Sequence, residues 1–238
     1  MTRALLLAAG YGTRLGDIVN TTPKCLLEFN NQPLLKKWLD DLYINNVKEI
    51  LVNTHYLPEK VNKFIYSIKN NYPKMNIHVT HENELLGTGG TLLKNIDFFK
   101  NEDGMLIHAD NLIFDNLTNF IKHHETRPKR TNLTIFCFET TSPESCGIVE
   151  VDSDFIGKNF YEKSKENHGF LASGACFIFD KIFIQKLSSE PFAICDFSKD
   201  ILPKYIKKSY IYQTNKPFFD IGTPENYSMA LLRAKELS

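Results

Sequence analysis

The feature that most constrains the fold is an alternation of short apolar runs with segments of helical periodicity in the first half of the chain. The apolar runs at 3–9, 49–53, 76–81 and 105–109 have the length of β-strands. Between them, apolar residues recur three and four positions apart, as at Val61, Phe64, Ile65 and Ile68. Strands that alternate with helices in this way are typical of a parallel sheet covered by helices. We therefore predict an α/β fold, a three-layer α/β/α sandwich with a mostly parallel sheet.

The second half of the chain is less regular but continues the same pattern. Strands are predicted at 133–138, 148–151, 170–179 and 210–212. Helices are predicted after Asp180, over 197–205 and after Thr223, which can cap the last helix. No internal repeat or linker interrupts the sequence. We therefore predict a single domain over 1–238 with two lobes, one at about 1–130 and the other at about 131–238.

Composition excludes several classes of protein. Hydrophobic residues make up 42% of the chain, which excludes intrinsic disorder. Lys and Arg total 28, as do Asp and Glu, so no excess charge points to a nucleic acid or an anionic membrane. No apolar run reaches the roughly 18 residues of a membrane span, and the five cysteines lack Cys-x-x-Cys spacing. The sequence predicts a reduced, cytoplasmic protein with no nucleic-acid or membrane partner, and it permits a homo-oligomer.

A glycine-containing loop after the first strand carries the sharpest functional signal. It has the sequence Gly10-Tyr11-Gly12-Thr13-Arg14-Leu15 and continues to Pro23-Lys24. Glycines directly after a buried strand let the backbone approach a ligand, and their N–H groups form an anion-binding concavity. Arg14 and Lys24 add two cations to the same loop. This combination favours a polyphosphate ligand.

The loop differs from two common phosphate-binding motifs. The chain has no Gly-x-x-x-x-Gly-Lys-Ser/Thr sequence, so it is not a Walker A protein. Leu15 stands where the third glycine of the dinucleotide fingerprint would be, which argues against an oxidoreductase of that kind.

The sequence resembles the sugar-1-phosphate nucleotidylyltransferases, and among them the short bacterial heptose-1-phosphate and mannose-1-phosphate guanylyltransferases. Residues 7–15 with 23–24 match the Leu-Ala-Ala-Gly-x-Gly-Thr-Arg-Leu…Pro-Lys signature of that family. The resemblance extends over roughly 3–234. It includes Glu82 with Leu86-Gly87-Thr88-Gly89-Gly90, Asp110, Glu162-Lys163 and Asp220-Ile221-Gly222-Thr223-Pro224.

The resemblance implies a Rossmann-like nucleotide-diphospho-sugar transferase fold, with a nucleotide-binding lobe at about 1–130 and a sugar-binding lobe at about 131–238. It also implies a reaction that needs Mg²⁺ and has an NTP and a sugar 1-phosphate as partners. The catalytic residues it implies are Arg14, Lys24, Asp110, Lys163 and Asp220, of which Asp110 and Asp220 bind the metal. The nucleotide-binding residues are Leu7, Ala8, Ala9, Gly10, Gly12, Thr13, Arg14, Lys24, Glu82, Gly87 and Thr88. The sugar-binding residues are Asn111, Gly147, Glu162, Lys163 and Ser173.

The identity of the nucleotide and of the acceptor is less constrained. Glu82 can accept hydrogen bonds from guanine N1–H and the 2-amino group together, whereas uracil or thymine offers only N3–H. The expectation is therefore GTP. The pair Asp110-Asn111 is similar to the corresponding residues of cytidylyltransferases that activate phosphocholine. A second hypothesis is therefore an enzyme that uses CTP or UTP and another phosphorylated acceptor. A catalytically silent nucleotide-sugar sensor on the same fold is a third hypothesis, although the charged residues of the signature are all present.

The sequence departs from the family pattern at three places, two of which concern the acceptor. His108-Ala109-Asp110 stands where relatives have Asn-Gly-Asp, and Ala172-Ser173-Gly174-Ala175 stands where they have Asn-Ala-Gly. Cys146 precedes Gly147 where an aromatic residue is common. Since the last two positions line the sugar pocket in relatives, the sequence does not fix the sugar.

Overall fold

The structure is a computed structural model that describes residues 3–236. Its strands are β1 (Arg3–Leu7), β2 (Glu28–Phe29), β3 (Gln32–Pro33), β4 (Glu49–Thr54), β5 (Asn76–His81), β6 (Gly104–His108), β7 (Asn111–Ile113), β8 (Leu133–Glu139), β9 (Gly147–Val151), β10 (Gly157–Glu162), β11 (Leu171–Phe179), β12 (Ser209–Thr214) and β13 (Phe218–Asp220). Its helices are α1 (Leu34–Ile44), α2 (Pro58–Ile68), α3 (Gly87–Lys94), α4 (Leu117–Glu125), α5 (Lys181–Leu187), α6 (Leu202–Tyr205) and α7 (Pro224–Glu236).

The described residues group into two compact units. Unit N contains 3–85, 107–114 and 218–236, and unit C contains 86–106 and 115–217. Unit N holds the glycine loop, Glu82, Asp110 and Asp220, whereas unit C holds Gly87, Gly147 and Glu162.

Unit N is built on parallel strands. β4 pairs in parallel with β1 on one side and with β5 on the other. Every residue of β1 is buried, and α1 buries five apolar residues that recur at helical spacing: Leu34, Leu35, Trp38, Leu39 and Leu42. Helix α2 begins at Pro58, whose fixed φ suits the first helical position. These elements lie where the apolar pattern predicts them.

Unit C is a mixed sheet with an aromatic core. β8 lies between β11, which is antiparallel to it, and β12, which is parallel. β9 pairs antiparallel with both β10 and β11. Seven phenylalanines are almost fully buried in this unit: Phe99, Phe120, Phe136, Phe177, Phe179, Phe183 and Phe197. Their burial removes large apolar surfaces from water and stabilises the unit.

The α/β class with a mixed, mostly parallel sheet is confirmed. The predicted helix over 197–205 forms as an irregular turn at Phe197–Ile201 followed by α6, with Pro203 in the first turn of α6, where its missing N–H costs little. Cys137 and Cys176 are buried and reduced. Among residues 3–236, no helix has both the length and the apolar character that crossing a membrane requires.

Five of the described strands were not predicted: β2, β3, β7, β10 and β13. β7 and β13 have three residues each, which is too short to show an alternating pattern, and they pair antiparallel with Asn111 opposite Asp220. The N–H of Ile221 also donates to the carbonyl of Asp110, 3.1 Å away. This pairing brings together two aspartates that are far apart in the sequence.

Candidate active site

The glycine loop leaves β1 through a turn that requires glycine. Gly12 has φ +69°, and a Cβ there would lie 3.2 Å from Cγ1 of Val19. The carbonyl of Gly12 accepts the N–H of Leu15 at 2.8 Å, which starts the helical turn Thr13–Val19. Because this turn is tight, Arg14 stays exposed on the loop while Leu15 is buried beneath it.

Two aspartates and two cations of unit N converge at the ends of these strands. Lys24 is buried, and its Nζ donates to Oδ2 of Asp110 and, at 3.3 Å, to Oδ1 of Asp220. Nη2 of Arg14 lies 3.9 Å from Oδ2 of Asp220. A Cβ on Gly222 would lie 2.7 Å from Nη2 of Arg14, so this glycine leaves room for the guanidinium. The structure thus brings together four of the five predicted catalytic residues.

The electrostatics of the site keep Lys24 and Asp110 charged. Burial alone would lower the pKa of Lys24, but the nearby carboxylates of Asp110 and Asp220 raise it above its usual value. Burial alone would raise the pKa of Asp110, but Lys24 and His108 hold it below its usual range. Lys24 and Asp110 therefore form an ion pair at neutral pH.

The two aspartates fit a divalent cation. Both carboxylates touch the same ammonium group, so they converge on one position that already holds a positive charge. Within residues 3–236 no group of three or more His, Cys, Asp or Glu side chains could hold a metal. Two carboxylates are the usual protein contribution to a Mg²⁺ site in which phosphate oxygens and water complete the coordination.

Glu82 lies in a buried hydrogen-bonded network of unit N. Its side chain is buried, and Oε1 accepts from Nδ2 of Asn53 at 2.9 Å. Oδ1 of Asn53 in turn accepts the N–H of Ala8 at 2.7 Å. No role was predicted for Asn53, because a polar residue at the end of an apolar strand carries no signal of its own.

Gly87 and Thr88, predicted as nucleotide ligands, are tied to a later segment of unit C. The N–H groups of Gly89 and Gly90 donate to the carbonyl of Cys195, at 3.0 and 3.1 Å. Oγ1 of Thr88 accepts the N–H of Phe197 at 2.8 Å. The segment at 195–197 therefore packs against the start of α3 and closes it, a contact that the sequence did not predict.

The predicted sugar residues Gly147, Glu162 and Lys163 also lie together in unit C. Gly147 is the register partner of Glu162, and a Cβ on Gly147 would lie 2.7 Å from Oε2 of Glu162. Nζ of Lys163 is 3.8 Å from Oε1 of the same carboxylate. Burial, together with the charge of Asp196, raises the pKa of Glu162 against the opposing effect of Lys163. A half-buried carboxylate beside an exposed lysine suits hydroxyl and phosphate groups.

The remaining two predicted sugar residues have clear structural contacts. Oγ of Ser173 accepts the N–H of Ala175 at 3.3 Å, where the pairing of β11 with β8 is irregular. Asn111 of unit N is buried, and its carbonyl accepts Nε1–H of Trp38 at 3.0 Å.

The importance of Gly87 can be tested by adding one methyl group. Gly87 has φ +74°, and a Cβ there would lie 2.3 Å from the carbonyl oxygen of Cys195. We expect Gly87→Ala to lower the free energy of unfolding by about 3 kcal/mol, from backbone strain plus this clash. Gly169→Ala is the control, because Gly169 has φ +100° but open space around it, so only strain of about 1–2 kcal/mol applies. Urea unfolding measures both, and equal losses would contradict the closing role of the 195–197 segment.

Comparison with known proteins decides the family. The profile of the Nucleotidyl transferase family matches residues 3–236. The chain belongs to this family. The resemblance found in the sequence is thereby confirmed.

Curated relatives of the chain are guanylyltransferases. It is 28% identical to the mannose-1-phosphate guanylyltransferase catalytic subunit beta of Drosophila pseudoobscura pseudoobscura, a match over 95% of this chain and 60% of that protein. The chain therefore spans about three fifths of the length of that relative. It is 26% identical to the D-glycero-alpha-D-manno-heptose 1-phosphate guanylyltransferase of Campylobacter jejuni, over 94% of this chain and 96% of that protein.

Solved structures share the fold. HddC from Yersinia pseudotuberculosis, crystallised with GMP-PN, has a TM-score of 0.78 and 25% identity, over 98% of this chain and 99% of that one. A UDP-glucose pyrophosphorylase with bound UDP-glucose superimposes with a TM-score of 0.81 over the whole length of both chains. At 19% identity the second likeness shows the fold alone.

Proposed function

We propose that the protein is a Mg²⁺-dependent nucleotidyltransferase that joins GTP and a sugar 1-phosphate, giving a GDP-sugar and pyrophosphate. The observation that carries the proposal is the convergence of Asp110 and Asp220 on Lys24, with Arg14 beside them at the end of the glycine loop. Such a cluster suits the transfer of a nucleotidyl group, because it can hold a cation and neutralise phosphate oxygens at one place. The cytoplasmic location expected from the sequence is part of the same proposal.

The reaction needs positioning and charge neutralisation more than proton transfer. An oxygen of the sugar phosphate attacks the α-phosphorus of GTP, a new P–O bond forms, and the bond to the β-phosphate oxygen breaks. The attacking oxygen is already ionised, so no general base is required. Arg14 and Lys24 bind the triphosphate and stabilise the charge on the leaving pyrophosphate.

Asp110 and Asp220 would hold the Mg²⁺ ion. When bound, the ion polarises phosphate oxygens and draws the two anionic substrates together. Lys24 lies between these two carboxylates, so it would share them with the ion, and its ammonium is placed to neutralise phosphate oxygens at the same point.

The choice of GTP is supported by the relatives and by Glu82. The names of the curated relatives specify guanylyltransferases, and HddC was crystallised with a guanine nucleotide analogue. Glu82 follows β5 as a buried carboxylate fixed by Asn53, which suits an acceptor for guanine N1–H and the 2-amino group. The relatives act on manno-configured sugar phosphates by name, and we propose the same class of acceptor here.

The base-reading role of Glu82 can be tested with inosine triphosphate, which lacks only the 2-amino group. We expect Glu82→Gln to lower the preference for GTP over ITP about tenfold, because the amide has one acceptor oxygen and its NH₂ group faces donors of the base. The measurement is kcat/KM for both nucleotides with one acceptor. Glu84→Gln is the control, since Glu84 is exposed. An unchanged GTP:ITP ratio in Glu82→Gln would refute the role.

The experiment that tests the whole proposal is pyrophosphate release in the presence of Mg²⁺. The four ribonucleoside triphosphates and dTTP are crossed with sugar 1-phosphates and phosphocholine. Release that requires GTP and a manno-configured sugar 1-phosphate supports the proposal. Release with CTP or UTP identifies the alternative transferase, and triphosphate binding without release for any pair favours the sensor.

A further inference from the structure

Two separate chains of hydrogen bonds join Glu82 to the end of β1 and to the glycine loop, both within unit N. One chain runs through its side chain and Asn53, and the other runs through its backbone carbonyl and His55. Neither Asn53 nor His55 is among the residues predicted to touch the nucleotide.

The side-chain route fixes the orientation of the Asn53 amide. The N–H of Ala8 can only donate, so the atom of Asn53 that faces it at 2.7 Å is the oxygen. The NH₂ group must then point to Glu82, where Oε1 accepts at 2.9 Å. All three residues are at most 8% exposed, so water does not compete for these bonds. Asn53 thereby links the end of β1 to the carboxylate of Glu82.

The backbone route fixes the tautomer of His55. Nδ1 lies 2.7 Å from the carbonyl oxygen of Glu82, which can only accept, so Nδ1 carries the proton. In the neutral ring Nε2 is then an acceptor, and it faces the hydroxyl of Tyr11 at 2.6 Å. The rings of Tyr11 and His55 also pack edge to face, with centroids 5.1 Å apart. This route ties the residue between the two loop glycines to the backbone of Glu82.

We infer that Asn53 and His55 are positioning residues for nucleotide selection, acting through Glu82 and the glycine loop without touching the base. This inference rests on the proposed function. A carboxylate that reads two donors of one base must be held to within about 0.5 Å, and such precision requires supporting contacts. The two routes fix the segment 8–11 and the carboxylate of Glu82 in position relative to each other.

The decisive variant is Asn53→Asp, which changes one NH₂ group to oxygen. The acceptor for Ala8 is kept, but the donor to Glu82 is lost and two carboxyl groups face each other. We expect the GTP:ITP preference to fall about fivefold to tenfold, since the carboxylate of Glu82 no longer holds its place. Asn76→Asp is the matched control, because Nδ2 of Asn76 donates to Oε1 of Glu49 at 2.8 Å on the exposed surface. It makes the same chemical change away from the site and should leave the preference within twofold.

Tyr11→Phe provides a second test, since it removes only an exposed hydroxyl and should not affect folding. We expect the dissociation constant for GTP to rise about threefold to fivefold through loss of the anchor on His55, with the melting temperature unchanged. Affinities for GTP and ITP are measured calorimetrically with Mg²⁺ and no acceptor, so that they do not depend on turnover.

A folded Asn53→Asp protein with wild-type GTP:ITP preference would overturn the inference. If Asn53→Asp does not fold, wild-type GTP affinity in Tyr11→Phe would do so. Wild-type protein that binds no triphosphate would instead overturn the proposed function, which separates the two failures.

Discussion

Asp110→Asn is expected to lower turnover with Mg²⁺ by about 10³-fold, because one of the two carboxylates that would hold the ion becomes neutral. The side chain keeps its size, and Lys24 retains Asp220 as a partner, so the protein should still fold. Binding of GTP without metal should change little or become slightly tighter, since a negative charge near the phosphates has gone. Pyrophosphate release and calorimetric GTP binding measure the two effects separately.

The control for this prediction is Asp41→Asn. Asp41 pairs with Nζ of Lys37 at 2.7 Å on helix α1, so the variant removes a carboxylate from an ion pair that does not include Lys24 or Asp220. It should keep wild-type turnover, because such helix pairs contribute about 0.3–0.5 kcal/mol to stability and nothing to the reaction. An Asp110→Asn protein with full Mg²⁺-dependent turnover would remove Asp110 from the metal site.

Lys24→Met is the second change with a large expected effect. It removes the buried ammonium that lies between Asp110 and Asp220 and leaves the two carboxylates facing each other. We expect turnover to fall about 10²- to 10³-fold, as for loss of one preorganised charge that stabilises a transition state. The free energy of unfolding without metal should fall by about 3 kcal/mol, since one member of a buried charge cluster is gone.

The same variant should respond more strongly to metal than the wild type. Without the competing ammonium, Mg²⁺ should raise the melting temperature of Lys24→Met more than that of the unchanged protein. Lys36→Met is the control, because Lys36 pairs with Asp40 on the surface of α1 and its loss should cost about 0.5 kcal/mol or less. A Lys24→Met protein that unfolds like Lys36→Met and gains no extra stability from Mg²⁺ would contradict the proposed cluster.

The regular elements of this protein could be predicted because their apolar patterns are local. The helical spacing of Leu35, Trp38 and Leu42 in α1 and the apolar run of β1 each report burial directly. The anion-binding role of the glycine loop stays a prediction, which depends on the local signature of glycines after a buried strand with nearby cations. The family resemblance then supplied the distant aspartates.

What the sequence could not give is the way distant residues meet. Asp110 and Asp220 are joined by strands of three residues, which leave no periodic pattern to detect. The proposed roles of Asn53 and His55 depend on their hydrogen bonds with Ala8, Tyr11 and Glu82, and no local sequence spacing predicts those contacts. Likewise the carbonyl of Cys195, which accepts hydrogen bonds at the start of α3, comes from a segment about a hundred positions later in the chain. The partner of Thr88, the N–H of Phe197, lies in the same segment and could not be predicted.

The proposed reaction can be followed through the α-phosphate of GTP. The protein is incubated with Mg²⁺, GTP labelled at the α-phosphorus, and mannose 1-phosphate or a manno-configured heptose 1-phosphate. We expect labelled GDP-sugar and unlabelled pyrophosphate to form in equal amounts, only when both substrates are present. Label that stays in GTP with every manno-configured acceptor, or that appears in GDP or GMP without a sugar product, would contradict the proposed reaction.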